Sequence, residues 1–464
     1  MGAVGPNHIV ELINSDYAVY DKTTGAFIGT RITDSAFRQN ALDNGGGTVS
    51  DSFDPRVVYD PASARWFATA VDAAESVNSS ILVGVSDASD PTAGWPGFRI
   101  DADPDNRRWA DFPTLGVDAD GVYVSANMFD LPAPPPRSTD VSVFSFPKAD
   151  LLLATPTVAN RTEFLIAGIA SLGFAVQPSV DFGSSDGRAA MLARPNGTGT
   201  HSTLRRTDIL NAATQTAGAA SLSSSGGIAV TSYSAPPLAN QPGPDDNVNT
   251  SDHRISGNVF EQADSLWTVQ SVSIGGRSAV RWYEIDETTS AVLQSGTIDD
   301  NNLDLYFPSI AADSDGNVVI GISSSSDVQF ISSYAVAGTT VGGVTTFDDI
   351  TLLKAGVASY ERLDNSGRNR WGDYIATVLD PVTPLHFWTF RNSFPPRTYG
   401  LFRSQRSSFP NPPLLRFWRC AVWRCVAGGL ASCDRCVVRR QVDLRETAPI
   451  PWLTDFPYVT MEMP

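Results

Sequence analysis

Phe112-Pro113-Thr114-Leu115-Gly116-Val117-Asp118-Ala119-Asp120-Gly121 and Phe307-Pro308-Ser309-Ile310-Ala311-Ala312-Asp313-Ser314-Asp315-Gly316 are two copies of one phrase. A third reads Asp54-Pro55-Arg56-Val57-Val58-Tyr59-Asp60, and a looser one is Gln177-Pro178-Ser179-Val180-Asp181 followed by Ser185-Asp186-Gly187. A last copy, without the leading proline, starts at Gly372-Asp373-Tyr374 and ends at Asp380-Pro381, and 252–264 holds a degenerate one. In each unit the proline interrupts pairing at a strand start, and the apolar run after it makes a short buried strand. Asp-x-Asp-Gly then turns the chain, because Asp tolerates and Gly favours a positive φ. A second strand follows (122–129, 317–322), then two more (141–146, 163–166), so the unit is a four-stranded antiparallel meander. Pro113 to Pro178 and Pro308 to Asp373 are both 65 residues apart. That exceeds the roughly 40–50 of the commonest blade repeats. A sheet recurring at such a period buries its faces by stacking around an axis, which predicts an all-β propeller. Seven blades are expected, with six as the alternative count and a tandem of β-sandwiches as the competing architecture.

The bulk properties agree with many short strands. The chain has 464 residues, 42% hydrophobic and only 18% charged, with 37 Gly and 31 Pro. Helical periodicity is scarce outside 148–153. A formal charge of −17 repels phosphate backbones and argues against a nucleic-acid partner. No apolar stretch of about 18 residues is present to span a membrane, and no signal peptide is visible.

The blades are expected to start near residues 54, 112, 177, 250, 307 and 370, after a first blade in 1–49. Met1 to Val10 aligns with the inside of a blade's first strand, so this blade reads as truncated, with sequence missing before it. The composition changes after Phe390. Residues 391–464 hold eleven Arg, no Lys and five acids, and all four cysteines (Cys420, Cys425, Cys433, Cys436). Their spacing matches no usual zinc pattern. A shifted reading frame of this tail yields strand-like alternation, then Pro-Glu-Pro and a short apolar run. The tail is therefore expected to be frameshifted and poorly ordered, with marginal helix at 414–425, which leaves 1–390 as the propeller with an incomplete last blade.

Gly5-Pro6-Asn7-His8, the 54–60 phrase, Trp109-Ala110-Asp111-Phe112-Pro113, Arg370-Trp371-Gly372-Asp373-Tyr374 and Phe387-Trp388 together resemble a group of secreted bacterial propellers described as sialidase-like or BNR-repeat-like. The resemblance covers about residues 1–390. It implies an extracellular or cell-envelope protein, and the frame-restored tail resembles a PEP-CTERM sorting signal. Asp118-x-Asp120-Gly121 resembles the Asp-box turn of sialidases only in part, because the Ser-x-Asp-x-Gly-x-x-Trp pattern is not intact.

The resemblance directs attention to sialidase-type chemistry, which uses an arginine clamp, a Tyr/Glu nucleophile pair and an Asp acid/base. Arg56, Arg108 and Arg370 lie near blade starts, with Asp111, Asp373 and Tyr374 at comparable positions, yet no glutamate sits beside a matching tyrosine. The competing expectation is that these arginines and aspartates tie neighbouring blades and turns together. His8 lacks a paired histidine and reads as a surface or capping residue. Trp66, Trp109, Trp267, Trp282, Trp371 and Trp388 suit packing between blades better than stacking on sugars. Asp101, Asp103 and Asp105, Asp118 and Asp120, Asp313 and Asp315, and the Asp245-Asp246-Asn247 stretch supply hard oxygen ligands for structural Ca²⁺ in loops. No other cofactor is expected. P-loop, Rossmann, HExxH and GxSxG patterns are missing. These readings predict a monomeric, exported, non-enzymatic binding protein for a glycan or an envelope protein. A glycoside hydrolase with its site in the central funnel is the alternative.

Overall fold

The computed structural model describes residues 1–14, 16–42, 47–131, 138–243, 247–364, 366–383 and 385–393, and beyond them strands at 398–405, 416–418, 442–443 and 460–462. The chain is nearly all β. Successive meanders follow in order. The first comprises Gly2–Val4, His8–Ile13, Asp16–Asp21 and Phe27–Ile32. The second runs through Phe53–Asp60, Arg65–Asp72, Ser80–Val85 and Gly97–Asp101. Arg108–Val117, Gly121–Asp130, Ser138–Pro147 and Thr162–Gly168 make the third. The fourth is Phe174–Asp181, Arg188–Arg194, His201–Leu210 and Gly226–Tyr233. Val259–Gln262, Ser265–Ile274, Arg277–Asp286 and Val292–Ile298 follow. The sixth has Asp304–Ala312, Asn317–Ser326 and Gln329–Val341, the last pairing with both Val344–Phe347 and Thr351–Lys354. A seventh contains Ala376–Leu379, His386–Ser393 and Thr398–Gln405.

First strands lie beside first strands. Val117 bridges Val180 in parallel, and Ser179 to Asp181 pair in parallel with Val259 to Glu261. The first meander also packs on the seventh: Met1, Val4, Ile9 and Tyr20 share one buried cluster with Ala376, Trp388 and Phe390. A Cβ on Gly2 would sit 2.3 Å from the Phe390 ring, so only glycine allows that approach. Lys22 reinforces the seam with a 2.7 Å ion pair to the buried Asp380.

The repeated proline plays a different part from the one expected. It marks a bulge inside the first strand rather than the strand's start. Asp54, Phe112 and Phe307 have φ of 55°, 52° and 47°, and the pairing register slips at each. Pro55, Pro113 and Pro308 follow, where a bulge tolerates a missing N–H. In the fourth meander Ala175 has the positive φ, with the slip between Phe174 and Gln177. The bridge of Val180 to Val117 then makes Val176, not Pro178, the counterpart of Pro113. Pro178 sits two residues further along, against Gly116, where a Cβ would come within 2.5 Å of it.

The turns form where read, but positive φ serves only one of the two clearest copies. Gly316 has a φ of 82°, whereas no residue of 118–121 has a positive φ. Gly121 is needed there because a Cβ would come within 2.5 Å of the Tyr123 hydroxyl. Asp118 accepts the amides of Asp120 (2.8 Å) and Gly121 (2.7 Å), and Asp313 accepts those of Asp315 and Asn317 (both 2.9 Å). All six tryptophans named above are buried at 8% exposure or less, so they are packing residues. Strand His386–Ser393 crosses the expected boundary at 390, and Arg391 is buried, donating to Phe307 O (2.5 Å) and Ser309 Oγ (2.8 Å). In the expected helix at 414–425 the described residues 416–418 are strand, and the remainder lies outside the described residues, as do the four cysteines. Among the described residues no helix is long and apolar enough to cross a membrane.

Candidate functional site

Side chains from several meanders converge where the first strands begin. Asp54 enters on the bulge of the second meander and Asp111 just ahead of the bulge of the third. Asp373 and Tyr374 enter from the segment before Ala376–Leu379, and Asp252 with Arg254 from the segment before Val259–Gln262. The positive φ at Asp54 and Phe112 turns these side chains away from the ordinary pleat toward one another. The Tyr374 hydroxyl donates to Asp54 Oδ2, and the Asp54 amide donates to Asn14 Oδ1 at 2.8 Å. Asp54 and Asp111 are near enough for each to shift the ionisation of the other. Phe112 and Tyr374 stack with centroids 5.3 Å apart.

Arginines wall this group. Arg56 is fully buried; its guanidinium lies 4.4 Å from the Tyr374 ring centre and donates to Pro113 O and Ser256 O, each at 3.0 Å. Arg254 lies 4.6 Å from the Phe112 ring and grips Asp252 with two bonds of 2.9 and 3.1 Å. Arg194 adds a third bond to Asp252, also at 3.1 Å. Arg370 pairs with Asp373 of its own segment.

The electrostatics follow from crowding. Burial, then the charge of Asp111, pushes the Asp54 carboxyl up to about 7, although the Tyr374 bond pulls it back. Burial raises Asp111 as well, against the opposing pull of Arg254. The Tyr374 phenol rises well above its ordinary value, first by burial and then by Asp54. Asp252 moves the other way: burial opposes ionisation, but Arg254 and Arg194 hold its carboxyl well below the usual range. Burial and mutual repulsion both oppose joint ionisation of Asp54 and Asp111.

Of the residues singled out from sequence, Arg56, Asp111, Arg370, Asp373 and Tyr374 come together. Arg108 does not: it pairs with Asp130 and Asp140, both at 3.0 Å, within its own meander. Asp54, Asp252, Arg254 and Arg194 were missed. The available signal was that Asp54 occupies the slot filled by phenylalanine in the two clearest copies. His8 lies 3.9 Å from Asp90, away from the group.

The calcium candidates fall in separate turns. Asp101 accepts the amide of Asp103, and Asp103 accepts those of Asp105, Arg107 and Arg108. Asp120 accepts the Ser185 hydroxyl. Asp245 and Asp246 lie outside the described residues. A cavity of about 360 Å³ opens between the first and second meanders, lined by Tyr17, Phe37 and Trp95 among others, and none of the carboxyls above lines it.

The sequence matches no protein-family model and no curated protein. Among solved structures, Trypanosoma rangeli sialidase in complex with 2,3-difluorosialic acid is similar at 10% identity and a TM-score of 0.34, over 87% of this chain and 51% of that one. A puromycin-hydrolyzing peptidase of Mycobacterium tuberculosis gives 10% and 0.42 over the same shares. The α-L-arabinofuranosidase PaAbf62A of Podospora anserina gives 10% and 0.32, over 68% and 94%. The chain thus spans about half the length of the first of these structures, and likenesses this distant assign no activity.

Proposed function

We propose that the chain is a seven-bladed β-propeller, exported to the cell surface or beyond, that binds a glycan at the mouth formed by Asp54, Asp111, Asp373 and Tyr374 without turning it over. The cycle of first-strand neighbours, with the first meander seated on the seventh through Lys22 and Asp380, supports the ring. The binding reading rests on one observation: the arginines around the mouth are already engaged. Arg254 and Arg194 hold Asp252, Arg370 holds Asp373, and Arg56 is fixed by two backbone carbonyls. An arginine clamp for a substrate carboxylate needs free guanidinium edges facing solvent.

The hydrolase reading draws on the Tyr374–Asp54 contact, which sets a phenol beside carboxyls. Glycan-array binding together with a panel of nitrophenyl glycosides, sialosides included, tests the choice. The expected result is saturable glycan binding without turnover; Tyr374-dependent hydrolysis of any glycoside would overturn it.

A further inference from the structure

The cavity between the first and second meanders owes its existence to strand register. Between the pairs Tyr17–Ile32 and Val19–Ile28, one residue of Asp16–Asp21 faces three of Phe27–Ile32, residues 29–31. The longer strand bows away from its neighbour there, and Gly29 turns the bow with a φ of 75°. A Cβ on Gly29 would meet nothing within 4 Å, so the glycine serves the backbone turn rather than a close approach. The helix Asp34–Leu42 and the 91–95 loop of the second meander complete the walls around about 360 Å³. Three rings fix their shape. Phe37 of the helix lies parallel to Tyr17 with centroids 4.1 Å apart, and Trp95 stands at 84° and 85° to the pair. The polar ends of Tyr17 and Trp95 are spent inside the wall, both donating to Pro91 O, at 2.9 and 2.8 Å. The Thr92 hydroxyl likewise donates to Asp90. Among the described residues the lining holds no Asp, Glu, Lys, Arg or His, and its exposed members include Thr30 and Asn40.

Such walls choose by charge. An ion would shed its hydration here without meeting a counter-charge. A sugar fares little better, since its hydroxyls would face Val19, Ile28, Ile32 and ring surfaces. An uncharged apolar molecule loses nothing of the kind and gains the burial of its surface. An apolar cavity of about 150 Å³ takes benzene, and this one is more than twice that size. We infer that the cavity is a binding site for an uncharged, flat, apolar molecule of about two or three rings, its body against Trp95 and Ile28 and its outer end at Thr30 and Asn40. No residue of the carboxylate mouth lines the cavity, so this site and the glycan reading stand or fall separately.

The test is fluorescence titration of the full chain with two probes. One is N-phenyl-1-naphthylamine, which is uncharged; the other is its 8-sulfonate, which carries the same rings and a fixed negative charge. Saturable binding of the neutral probe is expected, at least about tenfold tighter than that of the sulfonate, because an unpaired charge is costly to bury. Asn40→Trp and Thr30→Trp, both at exposed positions, should obstruct the entrance and each weaken the neutral probe at least about tenfold. Equal affinity for the two probes overturns the assignment of an uncharged ligand. Absence of saturable binding by the neutral probe, or binding that neither substitution weakens, overturns the site. The comparison of probes is made on the unaltered protein, so it stands even if a substitution disturbs the edge strand.

Discussion

Two aspartates mark the ends of the first strand of the third meander, the half-buried Asp111 near its start and the buried Asp118 just past its end, and the two have opposite surroundings. At the turn end, Asp118 accepts two amides and the Tyr123 hydroxyl, which reaches both its oxygens at 2.9 and 2.8 Å. Lys148 closes the same turn by donating to Asp118 O. At the mouth, Asp111 faces Asp54, which a second tyrosine contacts, and Asp373 Oδ1 nearby has no partner. Burial lifts Asp118 to about 7 and Asp54 to about 7 alike. A displaced carboxyl is therefore no signature of function on this scaffold. What separates the two ends is whether the turn's own donors satisfy every oxygen, and only the mouth has polar atoms in surplus.

The largest test of this contrast is Asp118→Ala. It strands the Tyr123 hydroxyl, whose residue has 0% exposure, and two turn amides, so a loss of about 3 kcal/mol in urea unfolding is expected. A loss below about 1 kcal/mol would mean the turn is not held by its carboxylate.

Asp54→Asn should act through pH instead. The folded pKa lies above the unfolded one, so protonation stabilises the folded state below about 4, and the benefit disappears as pH rises toward about 7. Stability of the unaltered protein should thus fall across pH 4–7. The variant should lose up to one proton's share of that slope, at most about 1.4 kcal/mol per pH unit and less for a half-buried group. Unfolding midpoints at four pH values would show it, and an unchanged slope would place the proton elsewhere.

The tyrosines give the smallest and most direct comparison. Tyr123→Phe should cost about 1 kcal/mol, because Asp118 loses its only hydroxyl donor. Tyr374→Phe should cost under about 0.5 kcal/mol, since the ring keeps its stacking on Phe112 and Asp54 retains the Asn14 amide as a donor at 3.4 Å. Reversal of that order in thermal melts would break the distinction between the two ends.

Much of the fold was legible because its punctuation is local. Asp118-Ala119-Asp120-Gly121 announces a turn through contacts spanning three residues, and the strand after it follows. The register of Pro178 was not legible, because it is decided by a bridge between Val117 and Val180 in different meanders. The bulge was hidden for a related reason: proline suits a strand start and a bulge equally well, and only the positive φ before it decides. The mouth was half visible. Arg56, Asp111, Asp373 and Tyr374 share the motif-rich starts of the meanders, but the contact of Asp54 with Tyr374 spans 320 residues. Arg108 shows the converse, since its position beside a blade start suggested the funnel while Asp130 and Asp140 of the same meander claim it.

The seam between Lys22 and Asp380 has a consequence for biogenesis. The two residues are 358 positions apart, so at translation speeds of about 5–20 residues per second the opening strands emerge roughly 20–70 s before the strands that cover them. For that interval Val4, Ile9 and Tyr20 lack Ala376, Trp388 and Phe390, which complete their buried cluster.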